Sequence, residues 1–360
     1  MKSTSTGFTF LLAILIAGAA CNKNNNNYNT NPGSPITGNY QQTNLVSDTG
    51  SFSGARIDPA LVNAWGIAIN PMGIVWISSN GAGSSTVYDS TGKTLFGPVA
   101  IPFGGVHFGA SPSGIVYNTT TDFLIPSNQK PAVFIFSTED GLIEAWSGGD
   151  STITVVDNSA QNTVYKGIAL ANDGTGNFIY ATDFRGGKID VFDKSFTPVA
   201  KSFADPGIPA GFGPFNIQNI GGQLYVTYAK LKAPENKDDL AGAGNGYVDV
   251  FNPNGSLVKR FASQGNLNSP WGLAQAPAGF GLPLHSILVG NFGDGWINVY
   301  DSTGTLLGPL QSNGQPLVIG GLWALAFPVN SVPTADPNKL YFTAGPFDEA
   351  HGLFGYLKMQ

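Results

Sequence analysis

The chain is 360 residues long and only 11% charged, with 17 Lys and Arg against 23 Asp and Glu, which gives a formal net charge of −6. This acidic balance and the lack of any Lys/Arg cluster exclude the basic face that nucleic-acid binding needs. Turn-forming residues alternate with short runs of Val, Ile, Tyr and Phe, and no long amphipathic helical pattern is present, which indicates an all-β protein.

The N-terminus has the pattern of an export signal. Lys2 precedes an apolar run from Phe8 to Ala20, which is too short to span a bilayer but typical of a signal-peptide core. Cys21, the single cysteine of the chain, follows a stretch of small residues, and this arrangement resembles the lipobox of bacterial lipoproteins. The resemblance implies cleavage before Cys21 and acylation of that residue. An ordinary secretory signal remains the alternative, because Gly18 stands where a lipobox most often has Leu.

The chain therefore divides into three predicted parts. Residues 1–20 are predicted to form a signal peptide, residues 21–39 the lipidated Cys21 and a flexible Asn-rich tether, and residues 40–360 a single folded domain. We expect an exported cell-envelope lipoprotein that contacts the membrane only through its lipid anchor. The sequence leaves open whether it faces the periplasm, the outer membrane or the cell surface.

Two series of motifs recur six times along the predicted domain. The first begins with Trp65-Gly66-Ile67-Ala68, and its glycine position returns at residues 114, 167, 216, 272 and 324, at intervals of about fifty residues. The second has its clearest copies at Val87–Gly92 and Val299–Gly304. Repeats of this length in β-rich sequence predict propeller blades.

The fold class we predict is an all-β, six-bladed β-propeller with four strands in each blade. The inner strand of a blade begins at the first motif, and the Val-Tyr-Asp series marks the third strand. The last repeat stops after its third strand, so we expect Tyr40–Val46 to supply its outer strand from the N-terminus.

Several longer strings resemble one family of proteins. They are Asn63–Ala68, Phe134–Gly141, Tyr165–Gly167, Ala210–Asn216, Val289–Gly295 and His351–Gly355. They resemble an uncharacterised bacterial family of exported propeller proteins, some of which carry a C-terminal PEP-CTERM sorting segment. The resemblance implies a TolB/NHL-like propeller without an established activity. This chain departs from the PEP-CTERM members, since it ends at Gln360 just after the last predicted strand.

Candidate ligand-binding residues cluster on one predicted face of the disc. The loops between second and third strands are polar, and they open on the same side as the entries to the inner strands. Aromatic, amide and charged side chains on these loops predict a site for a small polar ligand. These residues are Asn63, Trp65, Asn80, Asp140, Tyr165, Asp183, Arg185, Asn216, Trp271, Asn291, Asp294, Trp323, Glu349 and His351.

The chemistry of this face is not determined by any motif. NHL-like lactonases and lyases hold a central divalent cation with Asn, Asp and Glu oxygens, and such a donor set suits Ca²⁺. The matching candidates here are Asn63, Asn216, Asp140, Asp183, Asp294 and Glu349. His107 and His351 are placed on the same face as candidate acids or bases, and His285 on the opposite one.

Two functions therefore remain open. The preferred one is a monomeric binding or scaffold module for a small polar ligand, a glycan or an envelope protein, which requires no cofactor although Ca²⁺ is possible. The alternative is a metal-dependent lactonase- or lyase-like hydrolase that uses the central funnel. The long loop Ala229–Gly246 is predicted to lie at the rim of the same face as a lid.

Overall fold

The computed structural model describes residues 38–328 and 334–360, together with residues 1 and 36. The predicted signal peptide beyond Met1, the lipidation site Cys21 and nearly all of the predicted tether lie outside these described residues. Within the described part, no helix has the length and apolar character needed to cross a membrane.

The described chain forms six blade sheets, whose inner strands contact one another in a closed ring, and a separate two-stranded hairpin. Strand pairs within the blades are antiparallel, except for one short parallel pair at the edge of the last sheet. β1 (Tyr40–Ser47) and β2 (Arg56–Ile57) come first. The first blade is β3 (Ala64–Ile69), β4 (Val75–Ser79), β5 (Ser84–Tyr88) and β6 (Thr94–Ala100). The second is β7 (Pro112–Tyr117), β8 (Phe134–Thr138), β9 (Leu142–Trp146) and β10 (Ile153–Asp157). The third is β11 (Tyr165–Asn172), β12 (Asn177–Asp183) and β13 (Lys188–Phe192).

The second half of the ring follows the same order. The fourth blade is β14 (Phe212–Ile220), β15 (Gln223–Lys230), β16 (Gly246–Phe251) and β17 (Leu257–Ser263). The fifth is β18 (Pro270–Gln275), β19 (Ile287–Asn291), β20 (Ile297–Tyr300) and β21 (Leu306–Pro309). A small hairpin, β22 (Gln311–Ser312) and β23 (Gln315–Pro316), leads to β24 (Leu322–Ala326), β25 (Leu340–Ala344) and β26 (Leu353–Met359) of the sixth blade. Short 3-10 turns cover Asn80–Ala82, Ser159–Gln161 and Ala278–Phe280.

The six-bladed propeller predicted from the repeats is confirmed, including its closure. β1 pairs antiparallel with β26, so that Tyr40 lies opposite Met359 and Ser47 lies opposite Leu353. The ring of Tyr40 is fully buried, and its hydroxyl donates a hydrogen bond of 3.0 Å to the carbonyl of Phe280. The N-terminal strand thus completes the sixth blade and joins the two ends of the described chain.

The prediction of four strands in every blade is wrong for the third blade. Its sheet has three strands, and the segment after β13 makes only a short contact with that strand, through the bridge between Phe192 and Pro198. Proline has no backbone N–H to donate to a strand partner, so Pro198 prevents a regular outer strand. The chain then turns away to Lys201, whose amine lies 2.7 Å from the carboxylate of Asp173.

The axis of the ring is closed by close backbone packing at the repeated glycine position. The pairing of each inner strand with its neighbour has an irregularity at this position. A Cβ atom on Gly114 would lie 2.7 Å from the backbone N of Ile168, and one on Gly167 would lie 2.8 Å from the Cα of Asn216. Where this position is glycine, the adjacent inner strands therefore approach more closely than a side chain would allow.

The propeller has two faces, which differ in the strand connections that they carry. The upper face carries the connections between second and third strands and the entries to the inner strands. The lower face carries the connections from inner to second strands. Because the inner strands all run from the upper to the lower face, the residue before each repeated glycine lies at the upper end of the axis.

Candidate functional site

Aromatic side chains close the upper end of the axis. The residue before the repeated glycine position is Trp65 in the first blade, Phe215 in the fourth, Trp271 in the fifth and Trp323 in the sixth, and all four are buried. The rings of Trp65 and Trp323 stack with centroids 3.8 Å apart, and Phe292 stacks on the other side of Trp323 at 4.0 Å. Trp271 and Phe215 pack against these rings at steep angles, and together the side chains form an aromatic floor beneath the centre of the upper face.

The third blade places a lysine where these blades have an aromatic residue. Lys166 is buried, with 3% of its side chain exposed, and its amine forms an ion pair with the carboxylate of Glu139. The same amine lies 5.0 Å from the centroid of the Trp65 ring, within the range of a cation–π interaction. Burial alone would lower the pKa of Lys166, but the adjacent Glu139 reverses this and raises it. The lysine is therefore cationic in the folded protein.

A chain of amides and carboxylates surrounds this ion pair. Asn80 donates a hydrogen bond of 3.1 Å to Glu139, and Asn63 donates one of 3.3 Å to the amide oxygen of Asn80. Asn63 also donates a hydrogen bond of 2.6 Å to Glu349, while its own oxygen accepts one of 3.1 Å from Trp323. The network therefore links the first, second and sixth blades above the aromatic floor.

The loop that carries Glu349 has strained backbone geometry. Phe347, Asp348 and Glu349 have φ values of 57°, 54° and 64°, so three consecutive residues that are not glycine occupy the left-handed region. The loop is fixed at its end by Asp48, which accepts a hydrogen bond of 3.0 Å from the N–H of Gly352 and lies 2.9 Å from the Nδ1 atom of His351. Strain of this kind concentrates at functional sites, where the surrounding structure maintains it.

The two central glutamates have opposite pKa shifts. Burial raises the pKa of Glu349, and the hydrogen bond from Asn63 offsets this only in part. Burial would also raise the pKa of Glu139, but the charges of Lys166 and Lys237 outweigh it and lower that pKa. The site thus combines an ionised carboxylate with a carboxyl group that binds its proton more tightly than usual.

The long loop between β15 and β16 reaches this centre. It lies on the upper face, as expected, and the Oδ1 atom of Asp238 is 3.9 Å from the amine of Lys166. Burial raises the pKa of the neighbouring Asp239. Arg185 holds the loop from the third blade through a hydrogen bond of 3.0 Å from its Nε atom to the carbonyl of Glu235. The proposed role of the loop as a lid stays a prediction.

Comparisons with known proteins identify relatives of the whole domain. No protein-family model matches the chain. Two uncharacterized proteins of Acanthamoeba polyphaga mimivirus are each 35% identical to it, one over 84% of this chain and 76% of its own length, the other over 88% and 85%. The chain belongs to this mimivirus protein family. Because these relatives are viral, they give no support to the bacterial origin and PEP-CTERM sorting that the sequence resemblance implied.

Two solved structures illustrate the fold similarity of this member of the mimivirus family. A streptogramin B lyase aligns with a TM-score of 0.52 at 13% identity over 89% of this chain and 97% of its own. A putative gluconolactonase aligns with a TM-score of 0.53 at 14% identity over 91% of this chain and 94% of its own. At these identities the similarity establishes the fold alone, a six-bladed propeller of the NHL, gluconolactonase and virginiamycin B lyase type.

The structure brings part of the predicted site together. Asn63, Asn80 and Glu349 join in one hydrogen-bonded network, and Trp65, Trp271 and Trp323 form the floor beneath it. Asn216 lies lower on the axis, where its amide donates a hydrogen bond of 2.7 Å to the carbonyl of Trp271.

The other predicted site residues make local contacts within or between neighbouring loops. Asp140 accepts the N–H of Ser111 at 2.6 Å, and Asp183 accepts those of Gly186 and Val164. Asn291 donates to the carboxylate of Asp294, which also accepts the N–H of Trp296. The hydroxyl of Tyr165 points away from the axis to Asp190, and His351 lies at the rim beside Asp48.

Among the other histidines, His107 is exposed on a loop that enters the second blade, and His285 lies on the lower-face connection of the fifth blade.

The six predicted metal ligands do not fit one metal centre. Asp140, Asp183 and Asp294 use their oxygens to cap turns of their own blades, and the amide of Asn216 is engaged below the aromatic floor. Only Asn63 and Glu349 meet, and they bond to each other. In the described ranges, no group of three or more His, Cys, Asp or Glu side chains has an arrangement suited to a metal ion.

Three central residues were absent from the predicted site, namely Lys166, Glu139 and Asp239. A signal for Lys166 was present in the sequence, because alignment of the repeats places it in register with Trp65, Phe215, Trp271 and Trp323. A charged residue at a position that is aromatic in the aligned repeats is expected to be buried. A buried charge needs a partner of opposite charge. Glu139 and Asp239 gave no such signal, since an acidic residue in a loop is ordinary.

Proposed function

We propose that the upper face binds a small polar ligand that carries amino or hydroxyl donors, and that the protein acts as a binding module. The observation that carries this proposal is the position of Glu349, which a strained left-handed turn holds at the centre of the face against Asn63. A half-buried carboxyl group with a raised pKa, held in place by strained backbone, is a candidate for ligand recognition.

The charges around the centre favour a ligand that donates hydrogen bonds. Glu139, Glu349, Asp238 and Asp239 supply carboxylate oxygens, while Lys166 is already paired with Glu139. Carboxylates accept hydrogen bonds and attract cations, so a protonated amine or a set of hydroxyl groups matches this surface. The half-buried ring of Phe292, at the edge of the aromatic floor, can contact the apolar face of a sugar-like ring.

A titration of the intrinsic tryptophan fluorescence tests this proposal, since Trp65 and Trp323 lie under the site. The probes are glucosamine, glucose and glucuronate, which share a ring and differ in charge. We expect glucosamine to bind most tightly and glucuronate not to bind. Glu349→Gln should weaken glucosamine binding at least about tenfold, because a charge-assisted hydrogen bond is replaced by a neutral one. Asp348→Asn is the matched control, since it removes a charge from the adjacent, exposed residue.

Three results would contradict this proposal. Equal affinity for the three sugars, or an unchanged affinity in Glu349→Gln, would show that the central carboxyl does not select the ligand. Absence of saturable binding by every probe would reject a site for sugar-like amines on this face.

A lyase- or lactonase-like activity is the second candidate, and the opposite pKa shifts of Glu139 and Glu349 favour it. Two carboxyl groups whose environments separate their pKa values can divide the roles of base and acid. In that case Glu349 would hold the proton that a leaving oxygen requires. Incubation with gluconolactone, followed by titration of the released acid, distinguishes the two functions, because a binding module leaves the lactone at its uncatalysed rate.

We also propose that the protein is exported and anchored by lipid at Cys21. The apolar run before Cys21 and the Asn-rich stretch after it support this. Cys21→Ser should move the protein from the membrane fraction to the soluble fraction and remove acyl mass from its N-terminus. Recovery of the unchanged protein as a soluble, unacylated chain would contradict the anchor.

A further inference from the structure

The lower end of the axis opens into a cavity, on the face opposite the site described above. Its volume is about 580 Å³, which lies in the range of small-molecule sites. Its walls are the lower ends of the inner strands, with the half-buried side chains of Ile69, Tyr117, Leu170 and Phe327. The aromatic floor and the closely packed glycine ring separate this cavity from the upper face.

The lining of this cavity has no charged side chain among the described residues. This contrasts with the upper face, where five charged groups surround the axis. The amides at the rim are largely engaged with their neighbours: Asn172 donates to Asn177 at 2.8 Å, and Asn219 donates to the carbonyl of Leu170 at 2.9 Å. A charged ligand would lose its hydration here without gaining an ionic partner.

One polar side chain interrupts the apolar series on the axis. Gln218 stands two residues after the repeated glycine position, where the other blades have Ala or Val. Those residues are Ala68, Val116, Ala169, Ala274 and Ala326. Gln218 lines both the cavity and the narrow chamber of about 40 Å³ that continues it along the axis. Its side chain is exposed and makes no hydrogen bond to another residue in the described part of the chain, so the amide is available to a ligand.

We propose that this lower mouth, formed by Ile69, Tyr117, Leu170, Gln218 and Phe327, is a second binding site. Its ligand is a small neutral molecule with a flat apolar body and an amide, amine or hydroxyl group. The apolar walls remove the body of the ligand from water, and the Gln218 amide pairs with its single polar group. The site does not depend on the function proposed for the upper face, because no side chain of the network around Glu349 lines the cavity.

Two fluorescent probes with the same aromatic framework test this proposal. N-phenyl-1-naphthylamine is neutral, and 8-anilinonaphthalene-1-sulfonate adds one negative charge to the same ring system. We expect the neutral probe to bind with one-to-one stoichiometry, and the sulfonate to bind at least about tenfold more weakly because no cation lines the cavity. Saturating glucosamine should not displace the neutral probe, which separates this site from the upper one.

Two variants locate the binding. Gln218→Glu places a charge in the mouth without changing the shape of the side chain. It should weaken binding of the neutral probe at least about tenfold, because the carboxylate loses hydration when the apolar probe binds. Val116→Trp fills part of the cavity from a half-buried position and should abolish binding. Gln223→Glu is the matched control, since it makes the same change on the same face outside the cavity, and it should leave the affinity unchanged.

Three results would overturn the proposal. These are equal affinity for the two probes, an affinity for the neutral probe that neither Gln218→Glu nor Val116→Trp changes, and the absence of saturable binding by the neutral probe. Circular dichroism of each variant establishes that it is folded before the affinities are compared.

Discussion

Asn63 and Glu349 lie 286 positions apart in the chain, and a hydrogen bond of 2.6 Å joins their side chains at the centre of the upper face. Both residues have left-handed backbone geometry, with φ values of 47° and 64°. Asn63 enters the first blade and Glu349 belongs to the sixth, so their meeting depends on closure of the ring. The strain at both partners is maintained by the interactions that hold the two blades together.

Relief of that strain should stabilise the protein. Asp348 is exposed and has a φ of 54°, so Asp348→Gly removes the steric cost of a left-handed residue while no side-chain contact of the network is lost. We expect the free energy of unfolding to rise by up to about 1 kcal/mol. Urea denaturation measures the change. Ser302→Gly, at an exposed residue without positive φ, should instead be neutral or slightly destabilising.

The raised pKa of Glu349 predicts how stability depends on pH. Its folded-state pKa lies above the ordinary value of 4.5, so its contribution to stability is fully present below that value and is lost as the pH rises through the folded-state pKa. Glu349→Gln keeps an oxygen that accepts the Asn63 hydrogen bond but cannot ionise. The difference in unfolding free energy between wild type and Glu349→Gln should therefore shift in favour of the variant from pH 4 to pH 8. A constant difference across this range would show that the carboxyl does not titrate with folding.

The repeats predicted the fold because they form two independent series. One series marks the inner strand of each blade, and the other marks the third strand and the turn that follows it. The same pattern failed for the outer strand of the third blade, where Pro198 breaks a pairing that the other blades make. The aromatic floor followed from the aligned Trp65, Trp271 and Trp323. Local sequence could not show that Glu139 from the second blade would meet Lys166 from the third, because that contact depends on the three-dimensional packing of adjacent blades.

The ion pair of Lys166 with Glu139 should show the asymmetry of buried charges. Lys166→Met leaves Glu139 without its cation beside the axis, and we expect a loss of about 3–5 kcal/mol in the free energy of unfolding. The double variant Lys166→Met with Glu139→Gln should recover most of this loss, because no unpaired charge remains. Chemical denaturation of the four proteins in this cycle gives the coupling energy. If the double variant is as unstable as Lys166→Met alone, packing rather than charge sets the cost.

Closure of the sixth blade should depend on Tyr40. The ring is fully buried, so Tyr40→Ala is expected to cost about 3–5 kcal/mol, the range for loss of a large aromatic side chain from a core. Tyr40→Phe removes only the hydrogen bond to the carbonyl of Phe280 and should cost about 1 kcal/mol. Thermal unfolding of the two variants separates packing from hydrogen bonding. Equal losses would mean that the hydroxyl, not the ring, holds the strand.

The close packing of the inner strands should make the repeated glycine position intolerant of a methyl group. In Gly114→Ala the new Cβ would lie 2.7 Å from the backbone N of Ile168 and 3.0 Å from the Cα of Gly167, so the second and third blades must separate. We expect a loss of about 3 kcal/mol, at the upper end of the cost of overpacking a core. Gly97→Ala is the matched control, because a Cβ there meets no atom within 4 Å and its backbone is not left-handed. That control should be neutral or slightly stabilising, since alanine loses less conformational freedom on folding. Equal effects of the two substitutions on urea denaturation would show that the axis can relax, and that the glycine ring is not what closes it.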